Sequence, residues 1–99
     1  MKIIIDDLRE KLPPLYATEG VSDPLVLCRF FLPWSKWLWY AMEFDGEDLF
    51  FGYVVGDVCE LGYFSVKELL DIRGPLGLTL EEDDGFEAVP LSNVRSLHE

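Results

Sequence analysis

Four carboxylates stand close together in the middle of the chain, around a dipeptide that favours a tight turn. The carboxylates are those of Glu43, Asp45, Glu47 and Asp48, and the dipeptide is Asp45-Gly46. Paired carboxylates can serve as the acid and base of a glycosidase, and clustered oxygen ligands can hold a hard cation. The four acids lack the ligand order of an EF-hand loop, and 19 acids in 99 residues make such a cluster common. A solvated turn is the preferred interpretation, and a carboxylate-based enzyme or divalent-cation site at the Glu43–Asp48 tip is the alternative.

The other residue types offer little nucleophilic or metal chemistry. The one histidine, His98, is the penultimate residue, and chain ends are commonly poorly ordered. Cys28 and Cys59 lie in apolar strand patterns without the close spacing of a metal knuckle, so we expect buried thiols, with a disulfide or a reactive thiol as alternatives. Neither a P-loop nor a dinucleotide-binding glycine motif is present. We therefore predict no catalytic residue, no metal ligand and no cofactor.

Aromatic side chains supply the other candidate site. Most of them must fill the core, because a domain this small needs large side chains there. Trp34, in a predicted turn, and Trp37, at a strand start, are the tryptophans expected to stay partly exposed. Exposed tryptophans often anchor protein interfaces. We predict a protein-binding surface that involves Trp34 and Trp37 together with the acidic tip.

The elements that must position these residues follow from periodicity and turn chemistry. A short helix is expected over Asp6–Leu12, capped by Asp6 or Asp7 and stopped by Pro13-Pro14. After a loop, four β-rich runs separated by turn residues predict strands at Leu25–Leu32, Trp37–Phe44, Glu47–Val55 and Val58–Phe64. Strict alternation along the second strand places Glu43 on the same face as Trp39.

A second helix has the clearest local signal in the chain. Ser65 and Glu68 have capping-box spacing, so the helix should begin at Val66 and end at Gly74-Pro75. Beyond it we expect a short extended piece at Phe86–Val89 and a helical turn at Ser92–Ser96. The prediction is a single α+β domain over residues 1–99: a four-stranded antiparallel β-meander with a short N-terminal helix and a helix after the last strand.

The register of the acidic hairpin has two solutions. A two-residue Asp45-Gly46 turn pairs Ala41 with Phe50 and sets Glu43 against Asp48, where like charges repel. A four-residue Asp45–Asp48 loop removes that repulsion and pairs Ala41 with Gly52. We favour the loop, which makes the tip a solvated turn.

Composition limits the classes of partner. Net charge is −11 with a pI near 4.3, and the eight basic residues are scattered, which argues against direct binding to nucleic acid or anionic lipid. Met1–Ile5 is too short an apolar run for a secretory segment, and no stretch is long enough to span a bilayer. A cytoplasmic protein that attracts a basic protein surface is the expected class.

Several short motifs between about Leu12 and Leu91 occur in a recognisable order. They are Leu12–Tyr16, Asp23-Pro24, Trp39–Ala41, Glu43–Asp48, Phe50–Gly52, Glu60–Ser65 and Arg73–Leu78. In this order they resemble a family of small proteins of unassigned function encoded on conjugative transposons, plasmids and related mobile elements.

The resemblance implies context and no chemistry. A small acidic protein on a transferable element could assist conjugation, or could shield the element by binding a host defence or DNA-binding protein. We therefore expect a non-enzymatic protein-interaction module with a basic or DNA-binding protein as its partner.

Overall fold

A computed structural model describes residues 3–99 of the chain. Within these residues the helices are α1 (Ile5–Lys11), α2 (Val66–Asp71) and α3 (Leu91–His98), and a 3₁₀ turn lies at Pro75–Gly77. The strands are β1 (Leu25–Val26), β2 (Cys28–Phe31), β3 (Leu38–Phe44), β4 (Leu49–Val55), β5 (Cys59–Ser65), β6 (Glu81–Glu82) and β7 (Val89–Pro90). Met1 and Lys2, which belong to the predicted non-secretory N-terminal run, lie outside the described residues.

The main sheet is antiparallel with strand order β5-β4-β3-β2-β6, and β1 pairs with β7 in a separate two-stranded sheet. The α+β class, the short N-terminal helix and the helix after β5 are confirmed. The predicted strand count of four was wrong, because β6 adds a fifth strand beside β2. The predicted strand Leu25–Leu32 is divided at Leu27, so that its first part pairs with β7 and its second with β3.

Helix α2 begins as its cap predicts but ends early. The Ser65 hydroxyl accepts a hydrogen bond from the backbone N–H of Glu68 at 2.9 Å, and the helix starts at Val66. It ends at Asp71, so the predicted end at Gly74-Pro75 was wrong. Gly74 has an extended backbone, and a side chain there would overlap the Trp34 ring. The glycine is needed for this close packing and not for a helix cap.

The other helices differ from their predictions at the first residues. Helix α1 begins at Ile5, with Ile4 as a cap that makes no side-chain hydrogen bond. The prediction that Asp6 or Asp7 caps this helix was therefore wrong. Both residues lie in its first turn, where their negative charge interacts favourably with the helix dipole. Helix α3 extends the predicted turn at Ser92–Ser96 to two turns over Leu91–His98.

The β3–β4 hairpin adopts the predicted four-residue loop at Asp45–Asp48, and Ala41 pairs with Gly52. Between Ala41 and Glu43 the register then shifts: an unbroken ladder would pair Glu43 with Phe50, but Glu43 pairs with Phe51. Such a β-bulge inserts one extra residue and re-aims the side chains that follow. The strict alternation predicted for this strand holds through Met42, which shares a core with Tyr40, and was wrong from Glu43 onwards.

Two hydrophobic cores cover the two faces of the main sheet. The first lies under α1 and α2, and its buried members are Leu8, Leu12, Cys28, Phe30, Leu32, Trp39, Ala41, Phe44, Phe50, Phe64, Val66, Leu69 and Leu80. The second lies under α3, and its buried members are Val26, Tyr40, Met42, Tyr53, Leu91 and Val94. The bulge places Phe44 in the first core and leaves Glu43 beside Met42 on the α3 side.

No helix among residues 3–99 has both the length and the apolar composition required to cross a bilayer.

Candidate functional site

A buried carboxylate organises the loop that precedes β1. Glu43 is only 3% exposed. Its carboxylate accepts hydrogen bonds from the backbone N–H of Tyr16 at 2.8 Å and of Thr18 at 3.0 Å, and from the Thr18 hydroxyl. The next residue of the strand, Phe44, donates its N–H to the Pro13 carbonyl at 2.9 Å. The bulged end of β3 therefore holds the Pro13–Thr18 segment against the sheet.

Tyr16 adopts a backbone conformation that few residues other than glycine adopt. Its φ angle is +70°, in the left-handed region. This conformation coincides with the hydrogen bond from the Tyr16 N–H to Glu43, while the aromatic ring stays exposed to solvent. A residue kept in a sparsely populated conformation beside a cleft is a common feature of binding sites.

Between this loop, the sheet and α3 lies a cleft of about 710 Å³. Its volume falls in the range of roughly 300–1,000 Å³ that is typical of ligand clefts. Its lining comes from the loop over 16–24, from β3, β4 and β5, and from the first turns of α3. It includes Tyr16, Glu19, Glu43, Phe51, Leu61 and Tyr63. The cleft is therefore walled by aromatic and aliphatic groups, with a carboxylate at its base.

Negative charge reaches the mouth of the cleft. The pKa of Tyr63 is raised above its ordinary value, mainly by its hydrogen bond with the Tyr16 side chain. Desolvation and the charges of Glu43 and Glu19 raise this pKa further. Tyr63 is 53% exposed, and its ring lies 5.0 Å from that of Phe51. Electron-rich ring faces next to carboxylates favour a cation.

The α3 side of the cleft is fixed by contacts of its own. Asp23 accepts hydrogen bonds from the backbone N–H of Ser92 at 2.9 Å and from the Ser92 hydroxyl at 2.7 Å. These bonds lower the pKa of Asp23. Arg95, the basic residue of the lining, pairs with Glu99 at 3.1 Å and lies over the Tyr53 ring. Both charged side chains therefore already have partners within the fold.

The predicted acidic site is divided by the fold. At the tip, the Asp45 carboxylate accepts the backbone N–H groups of Glu47, Asp48 and Leu49 at 2.8–3.0 Å, which lowers its pKa, the Asp48 bond having the largest effect. Asp48 accepts the N–H of Lys67 at the start of α2. Glu43 lies instead in the cleft, so the structure does not bring the four carboxylates together. Asp45 and Asp48 form turn and cap hydrogen bonds.

The two predicted interface tryptophans lie away from this cleft. Trp34 is half-buried against the first core and covers Gly74. Trp37 is 37% exposed, stacks on Trp39 with ring centroids 5.6 Å apart, and lies against Gly56. Each ring therefore has a packing role, and their predicted role in an interface stays a prediction.

The cysteines and the histidine have structural partners. Both thiols are free, and burial is the main cause that raises the pKa of the Cys28 thiol to about 11. Cys59 is only partly buried, and its thiol lies 3.8 Å from the His98 carbonyl. The His98 ring hydrogen-bonds the Tyr40 hydroxyl at 2.7 Å, which connects the end of α3 to the sheet. Within residues 3–99, no group of three or more potential ligands is placed to hold a metal ion.

Sequence reasoning missed most of the cleft. Thr18, Phe51, Leu61 and Tyr63 were not candidates, and Glu43 was assigned to the wrong environment. The available signal was a single glutamate within the otherwise apolar run Leu38–Phe44. A charged residue almost never becomes fully buried unless the fold supplies partners for it.

Comparison with known proteins adds family membership but no chemistry. The model of a family described as "Protein of unknown function (DUF2958)" matches residues 3–97. No curated protein and no solved structure shows a significant match.

Proposed function

Because this chain belongs to the DUF2958 family of proteins of unknown function, we propose its function from its own geometry. The protein is a non-enzymatic interaction module. Its cleft receives a cationic side chain, lysine or arginine, from a basic segment of a partner protein. The acidic surface increases the rate of encounter, and the cleft provides the specific contact.

The observation that supports this proposal is that the Glu43 side chain is buried and has no cationic partner. Its carboxylate has hydrogen-bond donors but takes part in none of the ion pairs within residues 3–99, which use Asp6, Glu82, Asp83 and Glu99. Hydrogen bonds stabilise the negative charge of a carboxylate without neutralising it, so a buried carboxylate that has no cationic partner still attracts a cation. The rings of Tyr63 and Phe51 beside it offer the surface on which a guanidinium or ammonium group packs.

The alternative site at the hairpin tip has less support. Asp45 and Asp48 already bind backbone N–H groups, and Glu43 lies elsewhere. Both aspartates use Oδ1 for these bonds, and without Glu43 the tip supplies fewer oxygen ligands than this alternative assumed.

We propose that the basic partner is a protein of conjugation or of host defence, and that the module acts for a mobile genetic element in the cytoplasm. The order of the short motifs between Leu12 and Leu91, which resembles that of the mobile-element family, supports this context. The net charge of −11 fits a basic or DNA-binding partner.

The test uses a fluorescein-labelled peptide as long as β5, in which arginine and valine alternate, and follows its fluorescence anisotropy. We expect saturable binding that weakens as salt is added. Glu43→Gln should weaken binding roughly 5- to 30-fold, since a partly buried charge pair contributes about 1–2 kcal/mol. Glu47→Gln removes the same charge at the tip and should change binding less than about twofold.

Two further variants separate binding from folding. Glu19→Gln alters an exposed lining side chain and should keep the parent melting temperature, whereas Tyr63→Ala also loses the ring contact with Phe51 and should lower it slightly; both proteins should bind the peptide several-fold more weakly. If the three Glu→Gln variants weakened binding equally and Tyr63→Ala bound as the parent does, the peptide would respond to net charge alone, and the proposal would then be wrong. Binding of the corresponding glutamate-valine peptide would contradict it as well.

A further inference from the structure

Strand β5 forms an unprotected edge of the main sheet. Within the described chain it pairs with β4 alone, through an unbroken register from Val55–Cys59 to Leu49–Ser65. It is seven residues long and carries one charged residue, Glu60, with neither proline nor bulge. Proteins usually protect such edges, because the free N–H and C=O groups invite another strand. The opposite edge, β6, has only two residues, and ion pairs at Glu82 and Asp83 surround it.

The same strand forms one wall of the cleft. Leu61 and Tyr63 pair with Tyr53 and Phe51 on the α3 side of the sheet, and both line the cleft while remaining 39% and 53% exposed. Gly62 lies between them, and a side chain added there would meet no atom within 4 Å. Backbone groups available for pairing and a cavity for side chains therefore occur on one strand.

We propose that an extended segment of the basic partner adds to the β5 edge as a sixth strand and inserts one cationic side chain into the Glu43 cleft. This inference rests on the proposed function and specifies how the partner binds. In strand addition, main-chain hydrogen bonds supply affinity, and pockets for alternate side chains supply specificity. A period of two along the added strand directs every second side chain to the cleft side of the sheet.

Charge selects the occupant. Glu60 on the strand and Glu19 and Glu43 in the cleft favour a basic segment, since Asp23 and Arg95 of the lining are paired within the fold. A second copy of β5 would bring together two chains that each carry a net charge of −11, and it would place no cation in the cleft. The occupant is therefore a partner with lysine or arginine at alternate positions, and not another copy of this chain.

The test uses backbone N-methylation of the same arginine-valine peptide. One version is methylated on the odd-numbered residues and the other on the even-numbered residues, which leaves the side chains and the charge unchanged. In a strand, successive N–H groups point to opposite edges, so only one of the two sets faces β5. We expect one version to bind at least about tenfold more weakly and the other to bind within about twofold of the parent peptide.

Hydrogen exchange gives an independent readout. Bound peptide should slow exchange of amides within β5 and leave those of the β6 edge unchanged. If the parent peptide binds but both methylated versions bind equally well, strand addition is wrong while the cationic cleft stands. If the parent peptide does not bind at all, both proposals are overturned. A free protein that sediments as a dimer with β5 amides protected would overturn strand addition in favour of self-pairing.

Discussion

Glu43 connects the end of β3 to a loop that is distant in the sequence, through hydrogen bonds to its side chain. Its carboxylate accepts three hydrogen bonds from the Pro13–Thr18 segment. One comes from Tyr16 and two come from Thr18, which lie 27 and 25 residues before Glu43 in the chain. Replacing it with alanine would leave two loop N–H groups and a hydroxyl without their acceptor. We expect Glu43→Ala to lower the free energy of unfolding by about 2–4 kcal/mol in urea titrations.

The matched control is Glu47→Ala, which removes a carboxylate from the solvated tip and should change the stability by less than about 0.5 kcal/mol. Glu43→Gln, which keeps an acceptor oxygen, should fall between the two. An equal, small effect of all three substitutions would show that the loop does not depend on the Glu43 carboxylate.

Asp45 predicts a dependence of stability on pH. Backbone N–H groups, first that of Asp48 and then that of Glu47, hold the pKa of Asp45 below the value of about 3.9 expected in the unfolded chain. The ionised form is therefore favoured by folding. Its contribution is complete above about pH 4 and is lost as the pH falls through the folded-state pKa. Asp45→Asn should lower the melting temperature at about pH 7, and the difference from the parent should shrink toward about pH 3. A difference that grows on acidification would contradict this assignment.

At the scale of elements, the bulge in β3 depends on a glycine in the strand beside it. A methyl group at Gly52 would overlap the Tyr40 carbonyl oxygen and stand 2.9 Å from its carbon. Gly62, its cross-strand partner on β5, faces open space. We expect Gly52→Ala to destabilise the fold by roughly 3 kcal/mol or more, and Gly62→Ala to change it by less than about 1 kcal/mol, by urea titration. Similar effects of the two substitutions would exclude a special role for the close approach at Gly52.

Local chemistry in the sequence predicted those elements that depend on neighbouring residues. The Ser65 cap predicts the start of α2, and charge repulsion predicts the four-residue hairpin loop. The bulge could not be predicted, because alternation assumes an unbroken ladder, and the shift in pairing between β3 and β4 leaves no mark in the periodicity of either strand. The cleft depends in turn on the bulge and on the aperiodic Leu15–Pro24 loop, so its lining could not be derived from periodicity.

For the whole molecule, the central sheet joins two cores that share the strand β3. Trp39 and Phe44 lie in the first core, while Tyr40 and Met42 lie in the second. The chain end is held on the second side, where the Tyr53 hydroxyl donates to Glu99 and the Tyr40 hydroxyl pairs with His98. Neither core can therefore lose its packing without disturbing residues of the other.

This shared strand predicts a single cooperative unfolding transition. The three tryptophans report on one side of the sheet: Trp39 belongs to the first core, Trp34 packs against it and Trp37 stacks on Trp39. Val94→Ala creates a cavity in the second core, on the opposite face, and should lower the stability by roughly 1–3 kcal/mol. We expect the urea midpoints from tryptophan fluorescence and from far-ultraviolet circular dichroism to fall together, whereas Val58→Ala, at an exposed position, should move neither. A variant in which circular dichroism shifts while tryptophan fluorescence does not would show that the two cores unfold separately, and that the cleft can open while the first core stays folded.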